Sequence, residues 1–160
     1  MSTETFTCRR ITCREAFSRP EWPALEKAYG EEIVYEDLPP APDRRMYELL
    51  EAQGILRPVG LFEGEELIGF AAYITTVLPH FGGGRVLATC ESIWLREDRR
   101  EGTGAGSLLL KTLFSCAKDD GAYGMYLGAK IGTQADKIFD RIAKPVNTLY
   151  WRKPVSYTHL

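Results

Sequence analysis

The chain has 160 residues, 44% hydrophobic and 26% charged, with 20 basic against 22 acidic residues and a formal charge of −2. That is long enough to bury one core without disulfide or metal staples. The near balance of charge gives no support to a nucleic-acid groove or a membrane-surface role. One domain is expected over residues 1–155, followed by a C-terminal tail over 156–160. Cys8, Cys13, Cys90 and Cys116 show no C-x-x-C spacing, and His80 and His159 are the only histidines. The expectation is scattered buried thiols and no bound metal. There is no charged-then-apolar leader and no apolar run near the ~18 residues of a membrane span, so a reducing cytoplasm is expected.

Phe6 to Thr12 reads as a first strand. Phe17 to Tyr29 is helical in character, with Pro20 and Pro23 better suited to a helix start than to its interior. LPPAPD is a stiffened loop, and RRMYELLEAQG puts Met46, Leu49 and Leu50 on one helix face, stopping at Gly54. Leu56 to Phe62 and Leu67 to Thr76 flank the polar turn EGEE, which predicts a hairpin. The second of these strands is almost wholly apolar, as a strand covered on both faces would be. HFGGGR has no phosphate-loop spacing and reads as a flexible hairpin turn.

Val86 to Leu95 predicts another strand, and Ser107 to Asp119 a helix ended by Gly121. Tyr123 to Ile131 predicts a fifth strand. Gln134 to Ala143 predicts a helix with Ile138, Phe139 and Ile142 inward, and Val146 to Val155 one or two closing strands. The order implies an α/β (α+β) fold in which helices flank a mixed sheet. The unit from Val86 to Ile131 is the part best suited to parallel pairing.

Between the fourth strand and the long helix stands LREDRREGTGAGSLLL, Leu95 to Leu110. Arg99, Gly102 and Gly104 have the spacing R-x-x-G-x-G. Glycines remove the side chains that would hold a ligand off the backbone, and a helix start offers unpaired N–H donors, so an anion site is expected. GTGAGS lacks the lysine of a nucleotide-binding P-loop. Ser107 stands where a dinucleotide-binding G-x-G-x-x-G would need glycine. A glycine-rich turn without a ligand is the bland alternative.

The run SIWLREDRREGTGAGSLL resembles the acetyl-CoA-binding segment of the GCN5-related N-acetyltransferases (GNAT). The stretch HFGGGRVLATCESIWLREDRR is similar to the branch of that family found in phages and prophages. The resemblance implies the GNAT fold, with a mixed sheet of six to seven strands and about four helices, and acetyl-CoA as co-substrate. Backbone groups of Ile93, Trp94 and Leu95 would pair with the pantetheine arm as an added strand. Amides of Arg100, Gly102, Gly104 and Ala105 would hold the pyrophosphate, with Arg99 and Arg100 adding charge, and Thr103 and Gly106 would complete the cofactor-binding run. A backbone N–H near Trp94 or Leu95 would stabilise the tetrahedral oxyanion.

The chain departs from the family pattern where a tyrosine often protonates the departing thiolate, because Phe139 stands there. Tyr126, Tyr150 or water would have to serve. For the base, Glu91 comes first: a carboxylate inside an apolar strand is costly unless it is paired, opened to a cleft or raised in pKa. His80 is the second candidate. Tyr73 is placed in the acceptor pocket or the core. Cys90 has no histidine near it in sequence, so direct attack by an amine in a ternary complex is preferred to a covalent enzyme intermediate. Glu31, Glu32, Glu36 and Asp37 either attract a cationic amine or form a solvated helix end. The rival to an enzyme is an acyl-CoA-binding or partner-binding protein that keeps the fold without the chemistry. The acceptor cannot be read, and a homodimer is left open.

Overall fold

The computed structural model describes residues 5–34, 40–80 and 82–150. Its elements run β1 (Phe6–Arg10), α1 (Cys13–Ser18), α2 (Trp22–Glu32), α3 (Arg44–Ala52), β2 (Leu56–Glu63), β3 (Glu66–Val77), β4 (Val86–Leu95), α4 (Ala105–Asp119), β5 (Met125–Tyr126) and α5 (Gln134–Ile142). The strands form one sheet in the order β1-β2-β3-β4-β5. The first four are antiparallel and β5 runs parallel to β4.

The mixed sheet between helices is as the sequence predicts, with fewer strands: five among the described residues, where six to seven are expected. The fifth shrinks to Met125–Tyr126 because it pairs with β4 only at Ala88 and Thr89. Val146 to Tyr150 carries no strand, and the rest of that expected strand lies outside the described residues. The single helix expected from Phe17 is two. Arg19 caps α1 in extended backbone, ahead of Pro20, and α2 starts with Pro23 in its first turn, where its missing N–H costs nothing.

One face of the sheet carries α4. Leu109 and Leu113 pack there on Val59, Leu61, Ile68 and Ala71, all 0 to 1% exposed. Full burial of each of the leucine, valine and isoleucine side chains stabilises by about 1.5–3 kcal/mol. The other face carries α1, α2 and α3, with an aromatic cluster of Trp22, Phe70 and Trp94. Tyr73 belongs to the α4 face, is fully buried, and donates to Asp120 Oδ2 at 2.5 Å. It is a core residue.

Two helix faces differ from expectation. In α3, Tyr47 and Leu50 pack inward while Met46 and Leu49 are half exposed, because α3 roofs an open cleft instead of lying flat on the sheet. In α5, Phe139 is buried but Ile142 is 50% exposed.

Candidate functional site

β4 changes face midway. Ala72 pairs with Ser92 and Tyr73 with Cys90, so Glu91 is an extra residue with no partner on β3. This bulge reverses the alternation of the strand. Before it, Ala88 and Cys90 pack on the α4 side; after it, Ile93 and Leu95 do, and Trp94 turns to the opposite face. The bulge therefore leaves Glu91 and Ser92 side by side on the face opposite α4, with no β3 residue paired to the carboxylate.

Past Thr89, β4 loses β5 as a neighbour. The Arg96 N–H donates to Ile68 O at 2.9 Å. By alternation, the backbone groups of Leu95 and Ile93 face away from β3, toward the side β5 has left. A cleft of about 410 Å3 opens there, lined by Ile93, Trp94, Leu95 and Arg100, by Gly106 and Leu109 of α4, and by Phe139 of α5.

Gly69 sets how closely β3 approaches this wall. A Cβ on Gly69 would stand 3.0 Å from Trp94 O and from Leu95 Cδ1.

The glycine turn enters α4 at the same cleft. Gly102 and Gly104 have φ of 70° and 80°, the left-handed region that side chains resist. A Cβ on either would meet nothing within 4 Å. These glycines answer a backbone requirement and leave open space above it. Gly104 is the N-cap of α4 and, lacking a side chain, makes no capping bond itself. Thr103 Oγ1 donates to Arg99 O at 2.7 Å and accepts from Ala105 N–H at 3.2 Å, which shapes the turn. The helix start offers backbone donors and the positive end of its dipole.

The arginines of this turn are internally neutralised. Arg96 donates to Glu63, Glu66 and Asp98, and Arg99 to Glu63 at 3.0 Å and Asp98 at 2.9 Å. Arg100 forks onto both carboxylate oxygens of Glu32 at 2.6 Å, while its Nε donates to Leu95 O at 2.8 Å. Glu32 also accepts from Trp94 Nε1 at 2.5 Å. The Arg100 guanidinium holds the Glu32 carboxyl below the usual carboxylate range, against the opposing effect of burial. Glu32 thus latches the end of α2 over the smaller cleft. Glu31 faces Lys27 at 3.9 Å, and Glu36 and Asp37 lie outside the described residues.

On the other side of Glu91 lies a larger cleft of about 1140 Å3 between α1, α2, α3 and the sheet. The two clefts share Tyr29, Ile33, Glu91 and Ser92. Glu91 is exposed to them, and Tyr47 Oη donates to its Oε1 at 2.6 Å. Burial first, and then the Glu91 carboxylate, push the Tyr47 phenol well above its usual pKa, so it stays a neutral donor. Burial, with Glu91 second, pushes the Cys90 thiol up to about 12, which leaves it a poor nucleophile.

Of the residues singled out from sequence, the fold gathers Glu91, Ile93, Trp94, Leu95, Arg100 and Gly106 around the smaller cleft. Gly102, Thr103, Gly104 and Ala105 form the turn leading into it, and Arg99 is drawn aside to Glu63. His80 sits exposed in the β3–β4 connection and Tyr150 is 91% exposed; neither lines either cleft. Tyr29, Tyr47 and Ser92 were not legible as site residues, and Glu32, read from the sequence as one of a group that attracts a cationic amine or forms a solvated helix end, is instead held by Arg100 and Trp94. Nothing in a helical tyrosine's own sequence shows that it will face a strand bulge, and Ser92, 7% exposed, reads as an ordinary strand position.

An antiparallel sheet bulged at its fourth strand, splayed from a parallel fifth and entered by a glycine-led helix, is the fold of the GCN5-related N-acetyltransferases. Solved structures that share it include three acetyltransferases. The ribosomal-protein-alanine N-acetyltransferase of Brucella melitensis biovar Abortus 2308 superposes with a TM-score of 0.71 at 16% identity, covering 94% of this chain and 99% of its own. The aminoglycoside acetyltransferase HMB0005 from an uncultured soil metagenomic sample gives 0.73 at 15%, over 95% and 99%. An acetyltransferase described as putative from Pyrococcus furiosus gives 0.64 at 22%, over 94% and 100%. No protein-family model and no curated protein matches the chain by sequence. No helix among the described residues is long and apolar enough to cross a membrane.

Proposed function

We propose that this protein is an N-acetyltransferase moving the acetyl group of acetyl-CoA to an amine. The observation that carries this reading is the meeting of two clefts at the β4 bulge. One is bounded by an open strand edge and a glycine-led helix start, the other is broad and apolar, and Glu91 and Ser92 belong to both.

Acetyl-CoA lies in the smaller cleft, its pyrophosphate on the Gly102–Gly106 turn and its pantetheine amides along Ile93 and Leu95. With the arginines engaged by Glu32 and Glu63, the anion is held chiefly by backbone N–H groups and the helix dipole. The acceptor occupies the larger cleft. Glu91, oriented by Tyr47, takes a proton from the acceptor ammonium. The free amine then attacks the thioester carbonyl, a C–N bond forms, and an outward backbone N–H of β4 stabilises the oxyanion. The C–S bond breaks, and the departing thiolate takes up the proton that the attacking nitrogen sheds, so CoA leaves as the thiol.

A second reading is favoured by one observation. Phe139 lines the smaller cleft where the family often has a phenol, so no tyrosine at that position can supply the last proton. A protein that binds acyl-CoA without turning it over would accept that ring. Calorimetric titration with acetyl-CoA and CoA, repeated on Gly104→Glu, tests the shared part of both readings. Micromolar binding lost in the variant is expected, and no binding by the unaltered chain overturns them. Turnover of any amine that falls in Glu91→Gln while CoA affinity holds separates the enzyme from the binding protein.

A further inference from the structure

We infer that the acceptor is a small amine carrying a single ammonium on an apolar, aromatic-sized body, and not a polycationic sugar. This rests on the acetyltransferase reading and concerns only the larger cleft. Its walls are Phe17, Trp22, Tyr29, Tyr47, Leu56 and Phe70. Several of these rings brace one another edge-on or tilted, with centroids 5.0 to 6.1 Å apart, so the wall is preformed. An apolar ligand body entering such a cleft gains by burial without first ordering it.

Three of the four carboxylates around this cleft are engaged, two by basic side chains and one by a helix start. Glu26 accepts from Arg44 at 3.0 Å, and Glu31 faces Lys27 at 3.9 Å. The Asp43 carboxylate caps α3 by accepting from Met46 N–H at 3.1 Å. Glu91 differs from Glu26 and Glu31: its hydrogen bond comes from the neutral Tyr47, and among the described residues no basic side chain pairs with it. It stands at the inner end, shared with the cofactor cleft. Asp43 also has only a neutral donor, but it is tied to the positive end of α3, so Glu91 is the carboxylate left at the reacting end of the chamber to match one ammonium. A ligand with several ammonium groups and many hydroxyls would set most of them against apolar wall, where unpaired polar groups are costly.

The test is calorimetric, on the full chain without acetyl donor, using 2-phenylethylamine, its neutral isostere 2-phenylethanol, and sisomicin. The amine is expected to bind at least about tenfold tighter than either comparator, the size of one charge-assisted hydrogen bond. Glu91→Gln is expected to abolish the amine's advantage while leaving the alcohol's affinity unchanged. Chromatography of the products with acetyl-CoA present should then show N-acetyl-phenylethylamine formed in preference to acetyl-sisomicin. Tighter binding of sisomicin, or equal binding of amine and alcohol, overturns the inference. A parallel titration with acetyl-CoA keeps the two ideas apart. If acetyl-CoA binds and the amine shows no preference, the acceptor class alone falls. If acetyl-CoA does not bind, the acetyltransferase reading falls with it.

Discussion

Tyr47 on α3 holds Glu91 on β4: its phenol donates to Glu91 Oε1 at 2.6 Å, across 44 positions of sequence. The bulge leaves the carboxylate without a β3 partner and the phenol fixes where it points. Tyr47→Phe keeps the ring against Phe17 and removes only the donor. Turnover with a working acceptor should fall on the order of tenfold, with little change in CoA affinity. Steady-state kinetics beside CoA calorimetry decide it, and an unchanged kcat would remove Tyr47 from the site.

Glu32 and Arg100 make a pH-sensitive latch. The folded state holds Glu32 below its ordinary value of 4.5, chiefly through the Arg100 hydrogen bonds. A carboxylate depressed on folding contributes stability that is present above its unfolded pKa and lost as pH falls through the folded one. Acidification below about pH 4.5 should therefore weaken the latch, and Glu32→Gln should flatten that part of the stability profile. Urea titrations from neutral pH downward read this out. Identical profiles for the two proteins would mean that the pair carries no net stability.

Gly104→Ala places a side chain at φ 80° with nothing nearby to clash. The cost is conformational, about 1 kcal/mol in denaturant melts. Acetyl-CoA affinity should fall by more than that strain explains, because the Cβ would enter the open space above the turn. Equal losses in the melt and the titration would leave the glycine a purely structural role.

Gly69→Ala tests the wall behind the smaller cleft. Its Cβ would stand 3.0 Å from the Trp94 carbonyl, so β4 must move away from β3. Overpacking of this kind should destabilise by about 1–3 kcal/mol and weaken CoA binding as well. Retention of full CoA affinity would show that the cleft tolerates a displaced strand.

The sequence by itself determined the local and periodic parts of this molecule. Val86–Leu95 occupies the predicted strand throughout, the EGEE hairpin turns at Gly64 with φ 57°, and the glycine run enters a helix ended at Gly121 with φ 83°. These follow from side-chain alternation and from backbone angles that glycine adopts readily, both of which are written residue by residue. Tertiary structure decided what depends on partners distant in the chain. The basic run that reads as an anion clamp is neutralised by Glu32, Glu63 and Glu66, carboxylates 30 to 68 positions away. Glu91 reads as a carboxylate in an apolar strand, but the fold sets it at a skipped pairing with β3 between two clefts, and only α3 brings Tyr47 to it. Propensity acts through the residue itself, whereas the charge and reach of a site are set by whatever the fold places opposite it.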